Sequence, residues 1–322
     1  MEKEENQSFQ ITMDTLANAM QDILPFMQDK MVFEVYINPD GKVWIDTLGK
    51  GRCYSGVKLS PAQAKQIILN VAALTNQLVT EEKPMLDADI PSNSFFPKCR
   101  FEGNLPPVVP EPTFNIRKHP EKIFTLEDYL RQGTINKIQY QVLIDAIHRK
   151  QNIIAAGGTK SGKTTFLNAI LAEISKLNDR VILIEDTPEL QCKAKDCVSM
   201  RTTRTVTMED CLRAVLRMTP DRIVVGEVRG GEALALLDAW STGHQGGCST
   251  VHSNSARDTL LRLENMTARV SRTPQQATIA QAVNLIVYLK LVGTQRKVQE
   301  ILKVDGWDNR TKEYRLAALH AG

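Results

Sequence analysis

None of the six cysteines, at positions 53, 99, 192, 197, 211 and 248, forms a C-x-x-C pair. A cytosolic thiol needs no bridging partner, so a reducing compartment fits this usage. No stretch approaches the roughly 18 uninterrupted apolar residues of a membrane span. The acidic start MEKEENQ also lacks the basic-then-apolar run of a secretory signal. The expectation is a cytoplasmic protein that can still dock on a membrane complex. Aromatic residues are only 6%, and 40 Lys and Arg against 37 Asp and Glu leave a net charge of +3. That balance is too small to indicate a nucleic-acid or membrane-surface partner by itself. There is no internal repeat and no low-complexity tract. What remains is a chain of 322 residues, 42% hydrophobic and 24% charged, which is the composition of a soluble globular protein with room for two domains.

Residues 8–29 carry Ile11, Leu16, Met20, Ile23, Leu24 and Met27 at helical spacing and predict one amphipathic helix. Strand-like runs from Val32 and from Val43 flank Asn38-Pro39-Asp40-Gly41, which predicts a hairpin. Ser60-Pro61 starts a helix through Leu74. Prolines 84, 91, 97, 106, 107, 110 and 112 punctuate the next stretch, with short strands expected at Arg100–Glu102 and Thr113–Arg117. These pieces make a small α+β domain over 1–118, followed by a polar linker at 119–124 containing His119-Pro120-Glu121-Lys122. Beyond it the texture changes. Helices at 125–130 and 135–147 precede apolar strands at 152–156, 181–185, 222–226 and 247–251, which alternate with helices. The region 125–322 is therefore expected to be an α/β domain with a mostly parallel, doubly wound sheet.

Gly157-Gly158-Thr159-Lys160-Ser161-Gly162-Lys163-Thr164 matches G-x-x-x-x-G-K-[ST] at every fixed position, between a strand and a helix beginning at Thr165. Glycines let backbone N–H groups turn inward on phosphate oxygens, and the helix N-terminus adds partial positive charge. Lys163 reaches the outer phosphates and Thr164 ligates Mg²⁺. The motif alone does not separate kinase, GTPase and motor.

Three further boxes narrow the choice. Val181–Glu189 is an apolar strand ending in Glu185, Asp186 and Glu189. Glu189 suits a general base for water, with Glu185 or Asp186 holding the metal's water shell or neighbouring hydrogen bonds. Ile223-Val224-Val225-Gly226-Glu227 ends in the acid of a Walker B position, reaching Mg²⁺ through water; Asp221 is the alternative acid, at the other end of the strand. His244 and His252 bracket one short strand, and a histidine there can donate to a γ-phosphate or sense its loss. Each box has a blander reading as a solvent-facing loop or a satisfied strand end. Zinc at Cys248 lacks a fourth ligand in register.

In this order the boxes resemble the secretion-system ATPase superfamily that powers type II and type IV secretion, pilus motors and conjugation. The likeness covers most of residues 95–318. Leu216–Arg222, Gly226–Ala233 and the tail Ile301–Gly306 are particularly similar to the type IV secretion and conjugation branch. The absence of a tetracysteine zinc module argues against the type II branch. The resemblance implies a RecA-like P-loop domain. It assigns Lys163 and Thr164 to nucleotide and Mg²⁺, Glu189 to catalysis, Glu227 to Walker B and His252 to the His box. Gly158, Thr159, Lys160, Ser161, Gly162 and Thr165 complete the ATP cradle.

Family members also bring arginines from the amino-terminal domain onto the nucleotide, and Arg100 and Arg117 match them; a surface salt bridge is the competing reading. Arg201, Arg204, Arg213 and Arg217 either line a subunit interface or solvate a helix. The resemblance further implies a homohexameric ring with nucleotide between the domains, inner-membrane partners in a conjugation or type IV secretion complex, and a peripheral place on the inner membrane. Direct nucleic-acid binding is not expected. Two alternatives stay open: a RecA-type nucleic-acid motor, which needs an aromatic or basic groove, and a nucleotide-gated scaffold that barely turns over.

Overall fold

Two patterns of strand burial divide the chain, one alternating and one continuous. The computed structural model describes residues 2–48, 50–119, 123–203, 205–293 and 295–320, with side chains from residue 9 to residue 319. Its contacts separate Met1–Glu121 from Lys122–Gly322.

The first unit runs α1 (Glu2–Ala19), α2 (Leu24–Gln28), β1 (Val32–Ile37), β2 (Lys42–Thr47), β3 (Gly51–Lys58), α3 (Pro61–Leu74), β4 (Met85–Ile90), β5 (Cys99–Asn104) and β6 (Thr113–Lys118). The single helix expected at 8–29 is two helices. Pro25 opens the second, a position a proline tolerates, whereas inside a helix it would remove a hydrogen bond. The Ser60 cap of α3 is a full capping box with Gln63. The six strands lie in the order β3-β2-β1-β6-β5-β4. Val35, Ile37, Val43, Phe101, Phe114 and Ile116 point to one face and pack on α1 and α3 with Met13, Leu16, Ile67 and Ile68. Lys118, buried at the end of β6, donates to the carbonyls of Phe26 at 3.1 Å, Met27 at 2.9 Å and Asp29 at 2.5 Å. Three carbonyls thus solvate an ammonium taken out of water and tie β6 to the end of α2.

The second unit runs α4 (Leu126–Arg131), α5 (Lys137–His148), β7 (Ile153–Gly157), α6 (Lys163–Ile174), β8 (Val181–Glu185), β9 (Cys197–Arg201), α7 (Met208–Val215), β10 (Arg222–Val225) and α8 (Glu232–Ser241). It continues with β11 (Cys248–His252), α9 (Ala256–Thr267), α10 (Gln276–Ala282), β12 (Leu285–Val292), β13 (Gln295–Asp308) and β14 (Glu313–His320). The sheet order is β14-β13-β12-β7-β11-β10-β8-β9. From β12 to β9 every neighbouring pair is parallel, and β13 and β14 add an antiparallel flap, so the sheet is mixed. Every residue of β7, β8 and β10 is buried, as expected of strands covered on both faces. Helices α7–α10 close one face around Trp240, and α4–α6 close the other around Phe166.

The starting edge of the parallel strands is locked by Arg222, only 1% exposed. It donates to Asp179 at 2.6 Å and to the carbonyls of Gly246 at 3.0 Å and Ile147 at 2.9 Å. Lys150 joins Asp179 at 3.0 Å and Asp221 at 3.2 Å. Among the described residues, no helix is long and apolar enough to cross a membrane.

Candidate functional site

The finishing ends of β7, β11, β10 and β8 are consecutive in the sheet, and each delivers one of the boxes to the same edge. Ligands of open α/β sheets gather at such edges. The loop between β7 and α6 holds its shape through glycine at two points. A Cβ on Gly157 would lie 2.3 Å from the Leu289 carbonyl oxygen of β12. Gly162 caps α6 with φ +91°, a left-handed conformation that side chains resist. As the N-cap of α6, Gly162 makes no side-chain cap.

Lys163, at the first position of α6, is 7% exposed. Its ammonium donates to the Gly157 carbonyl at 3.0 Å and the Gly158 carbonyl at 2.9 Å, and lies 3.4 Å from His252 Nδ1. It is therefore folded over the mouth of its own loop. Gly158 and Thr159 are exposed there, and the Ser161 hydroxyl is buried against Gly157. The half-buried Thr164 and Thr165 place their hydroxyls on the first turn of α6.

Opposite Lys163 stands an acid and imidazole relay. Glu227 accepts from Arg229 at 2.6 Å and lies 3.1 Å from His252 Nε2. Burial lowers the His252 pKa, the Lys163 ammonium lowers it further, and Glu227 opposes both. At neutral pH the ring is therefore uncharged. Lys163 donates to the Nδ1 lone pair of that neutral ring, while Nε2 faces the Glu227 carboxylate at ion-pair distance. The Arg229 guanidinium is held more firmly protonated by Glu227 first and by Asp186 and Glu189 beyond it, so it gathers the acids of two boxes around one cation.

The Asp box divides its work. Glu185, 3% exposed, accepts from the backbone N–H groups of Glu189 and Leu190, both at 2.8 Å. It is thus the strap of the loop, the second of the two roles open to it. Asp186 accepts from Thr202 at 2.8 Å. Asn168 of α6 donates to the Glu189 carbonyl at 3.1 Å and accepts from Gln191 N–H at 2.8 Å. The Glu189 backbone is therefore fixed from two sides, while its half-exposed carboxylate makes no hydrogen bond or ion pair among the described residues and feels Arg229 only at longer range.

Two candidates of this unit, His244 and Asp221, lie at the opposite edge of the sheet. His244 sits at the starting edge of the sheet, 3.4 Å from the Pro220 carbonyl, so only one of the two histidines reaches the site. Asp221 is bound to Lys150 and to the Arg180 N–H at that same far edge. Arg100 and Arg117 face each other across β5 and β6 of the first unit, and Arg100 pairs with Asp87 at 3.2 Å. Arg201 donates to the Asp186 carbonyl at 3.3 Å, and Arg213 pairs with Glu209 at 2.5 Å. Arg204 lies outside the described residues. Among the described residues no His, Cys, Asp and Glu cluster could hold a metal ion alone. Magnesium takes few carboxylates and completes its shell with phosphates and water. The Thr164 hydroxyl, which has no partner among the described residues, and a Glu227 already engaged by Arg229 and His252 fit a metal that arrives with a polyphosphate and meets Glu227 through water.

Two supporting residues are not singled out by the sequence. Asn168 and Arg229 lie inside or beside quoted boxes, and only their contacts reveal them.

A family model described as type II/IV secretion system protein matches residues 18–316. The chain belongs to that family. Among relatives of this secretion family, it is 41% identical over 285 residues to "Conjugal transfer protein TrbB" of Rhizobium radiobacter, covering 88% of this chain and 87% of that one. It is 43% identical over 285 residues to "Probable conjugal transfer protein TrbB" of Sinorhizobium fredii, covering 88% and 86%. Its fold is that of the Legionella pneumophila ATPase DotB, with TM-score 0.66 at 20% identity over 91% of this chain and 82% of that one. The pilus retraction motor PilT, solved with bound ADP, gives the same TM-score of 0.66 at 20% identity over 95% and 83%.

Proposed function

We propose that the chain is a Mg·ATP-hydrolysing motor of a type IV secretion or conjugation machine. One observation carries the reading: at one sheet edge the lysine of the phosphate loop lies 3.4 Å from His252 Nδ1, and His252 Nε2 lies 3.1 Å from Glu227. Relatives named as conjugal transfer proteins over most of both chains support the conjugation branch. The order of the boxes on one parallel edge supports a RecA-like P-loop domain.

In this reading the triphosphate lies in the amides of Gly158, Thr159, Lys160, Ser161, Gly162, Lys163, Thr164 and Thr165. Lys163 exchanges two carbonyls for β- and γ-phosphate oxygens, a stronger, charge-assisted set. Magnesium, entering with ATP and held by Thr164 and through water by Glu227, would neutralise charge on the transferred phosphoryl group. Glu189, held by its backbone and open at its carboxylate, orients and deprotonates the attacking water. His252 loses its Lys163 contact when that ammonium swings to phosphate, which passes the nucleotide state to Glu227 and Arg229. The unit 1–118 is read as the moving domain, 119–124 as its hinge and 125–322 as the engine; residues 120–122 of that hinge lie outside the described residues. Arg100 and Arg117 are proposed to hold nucleotide charge. The motor works as a homohexamer in the cytoplasm, docked on inner-membrane components of its machine.

Phosphate release from Mg·ATP tests this. Lys163→Ala should abolish it, and Glu189→Gln should lower kcat by roughly 10²- to 10⁴-fold with ATP still bound. Wild-type turnover that survives in Lys163→Ala refutes the site.

A further inference from the structure

The phosphate loop is flanked on both sides, but by different chemistry. On one side of β7 lie β11 and β10, whose ends carry His252 and Glu227. On the other lie β12 and β13, and from β13 comes Arg296. Its Nε donates to the Lys160 carbonyl at 3.3 Å. Its Cδ stands 2.7 Å from where a Cβ on Gly162 would be, so the side chain lies directly against the loop's cap. Its charge also reaches the buried Tyr129 ring, which packs 5.5 Å from Phe166 of α6. No carboxylate among the described residues pairs with Arg296, although it is only half-exposed. A guanidinium has five donors in a fixed fork, and among the described residues this one spends a single donor on protein.

The sheet order gives the direction of the ligand. Hydrolysis must occur beside Glu189, Glu227 and His252, so the γ-phosphate faces β11 and β10. A nucleotide threaded through the loop then has its α-phosphate and nucleoside at the opposite side, toward β12 and β13. We infer that Arg296 is a nucleotide-binding residue whose free guanidinium donors take the α-phosphate end of the nucleotide. This rests on the ATPase reading above and assigns a further part of the same site. Because this contact is made equally before and during hydrolysis, it sets affinity and leaves the chemical step alone.

The test is calorimetric binding of Mg·ATP, Mg·ADP and inorganic pyrophosphate to the full chain, with kcat measured in parallel. Pyrophosphate fills the loop and lacks the α end. Arg296→Ala should weaken ATP and ADP by the same factor, roughly 10- to 100-fold. It should weaken pyrophosphate by a much smaller factor, that of the lost Lys160 bond alone, and Arg296→Lys should recover part of the ATP loss. Pyrophosphate binding that falls in step with ATP would mean that Arg296 acts only by bracing Lys160, which overturns the assignment; so would unchanged ATP binding. Arg296→Gln, compared at its own unfolding temperature, replaces the alanine variant if that one fails to fold. A wild-type chain that binds neither ATP nor pyrophosphate would instead sink the ATPase reading itself.

Discussion

Replacing Gly162 by alanine puts a number on how tightly the cradle is specified. At φ +91° a Cβ costs about 1–2 kcal/mol. The new methyl would also meet Arg296 Cδ at 2.7 Å. That side chain is flexible and moves away, giving up its bond to Lys160, worth about 1 kcal/mol. A stiffer unfolded chain returns roughly 0.4–1 kcal/mol. The net is about 2 kcal/mol, or roughly 30-fold in an equilibrium constant. It can appear in two places. If the loop keeps its shape without ligand, the loss falls on unfolding free energy; if it relaxes, the loss falls on ATP affinity. Denaturant unfolding and calorimetric titration of Mg·ATP on the same preparation give both, and their sum should be near 2 kcal/mol. Gly158→Ala is the control for stability, since its φ is ordinary and no heavy atom lies within 4 Å. A Gly162→Ala chain matching wild type in both measurements would refute the claim that this conformation is imposed.

Two other variants probe the scaffold of the site. Asn168→Ala removes both bonds that hold the 189–191 loop to α6, and should lower kcat while ATP affinity stays; Asn168→Asp, which keeps the acceptor for Gln191, should lose less, and equal kcat values in all three would contradict it. At the far edge, burial raises the Asp179 pKa, but its bonds to Arg222 and Lys150 outweigh this and leave it below 3.8. A depressed carboxyl contributes stability above its unfolded value and loses it as pH falls through the folded one. Asp179→Asn should therefore cost about 3 kcal/mol near neutral pH. The gap to wild type should close as pH drops below 3.8, and a gap independent of pH would refute the pairing.

Much of the engine was legible because its strands are buried on both faces. Val181–Glu185 and Ile223–Val225 read as unbroken apolar runs, and the acid that ends each falls at the ligand edge. The first unit was harder. In β3, Arg52, Cys53 and Tyr54 are exposed in succession, so no alternation marks it. In β4, buried Leu86, Ala88 and Ile90 alternate with Asp87 and Asp89, but the surrounding prolines masked the period. The helix at 8–29 failed at residues 20–23, just ahead of Pro25, where hydrophobic spacing continued across a backbone break. The flap of β13 and β14 follows no box, and with it went Arg296, whose partner Lys160 is 136 residues away. Contacts of that range leave no local trace. The same limit explains why His244 and His252 looked equivalent: both bracket β11, and only the direction of the strand separates them.

The most direct measurement is a structure of the full chain grown with Mg²⁺ and a non-hydrolysable ATP analogue. The account predicts the triphosphate wrapped by the amides of 158–165, with the Lys163 ammonium gone from the Gly157 and Gly158 carbonyls and resting on phosphate. A nucleotide bound elsewhere, with Lys163 still on those two carbonyls, would contradict it.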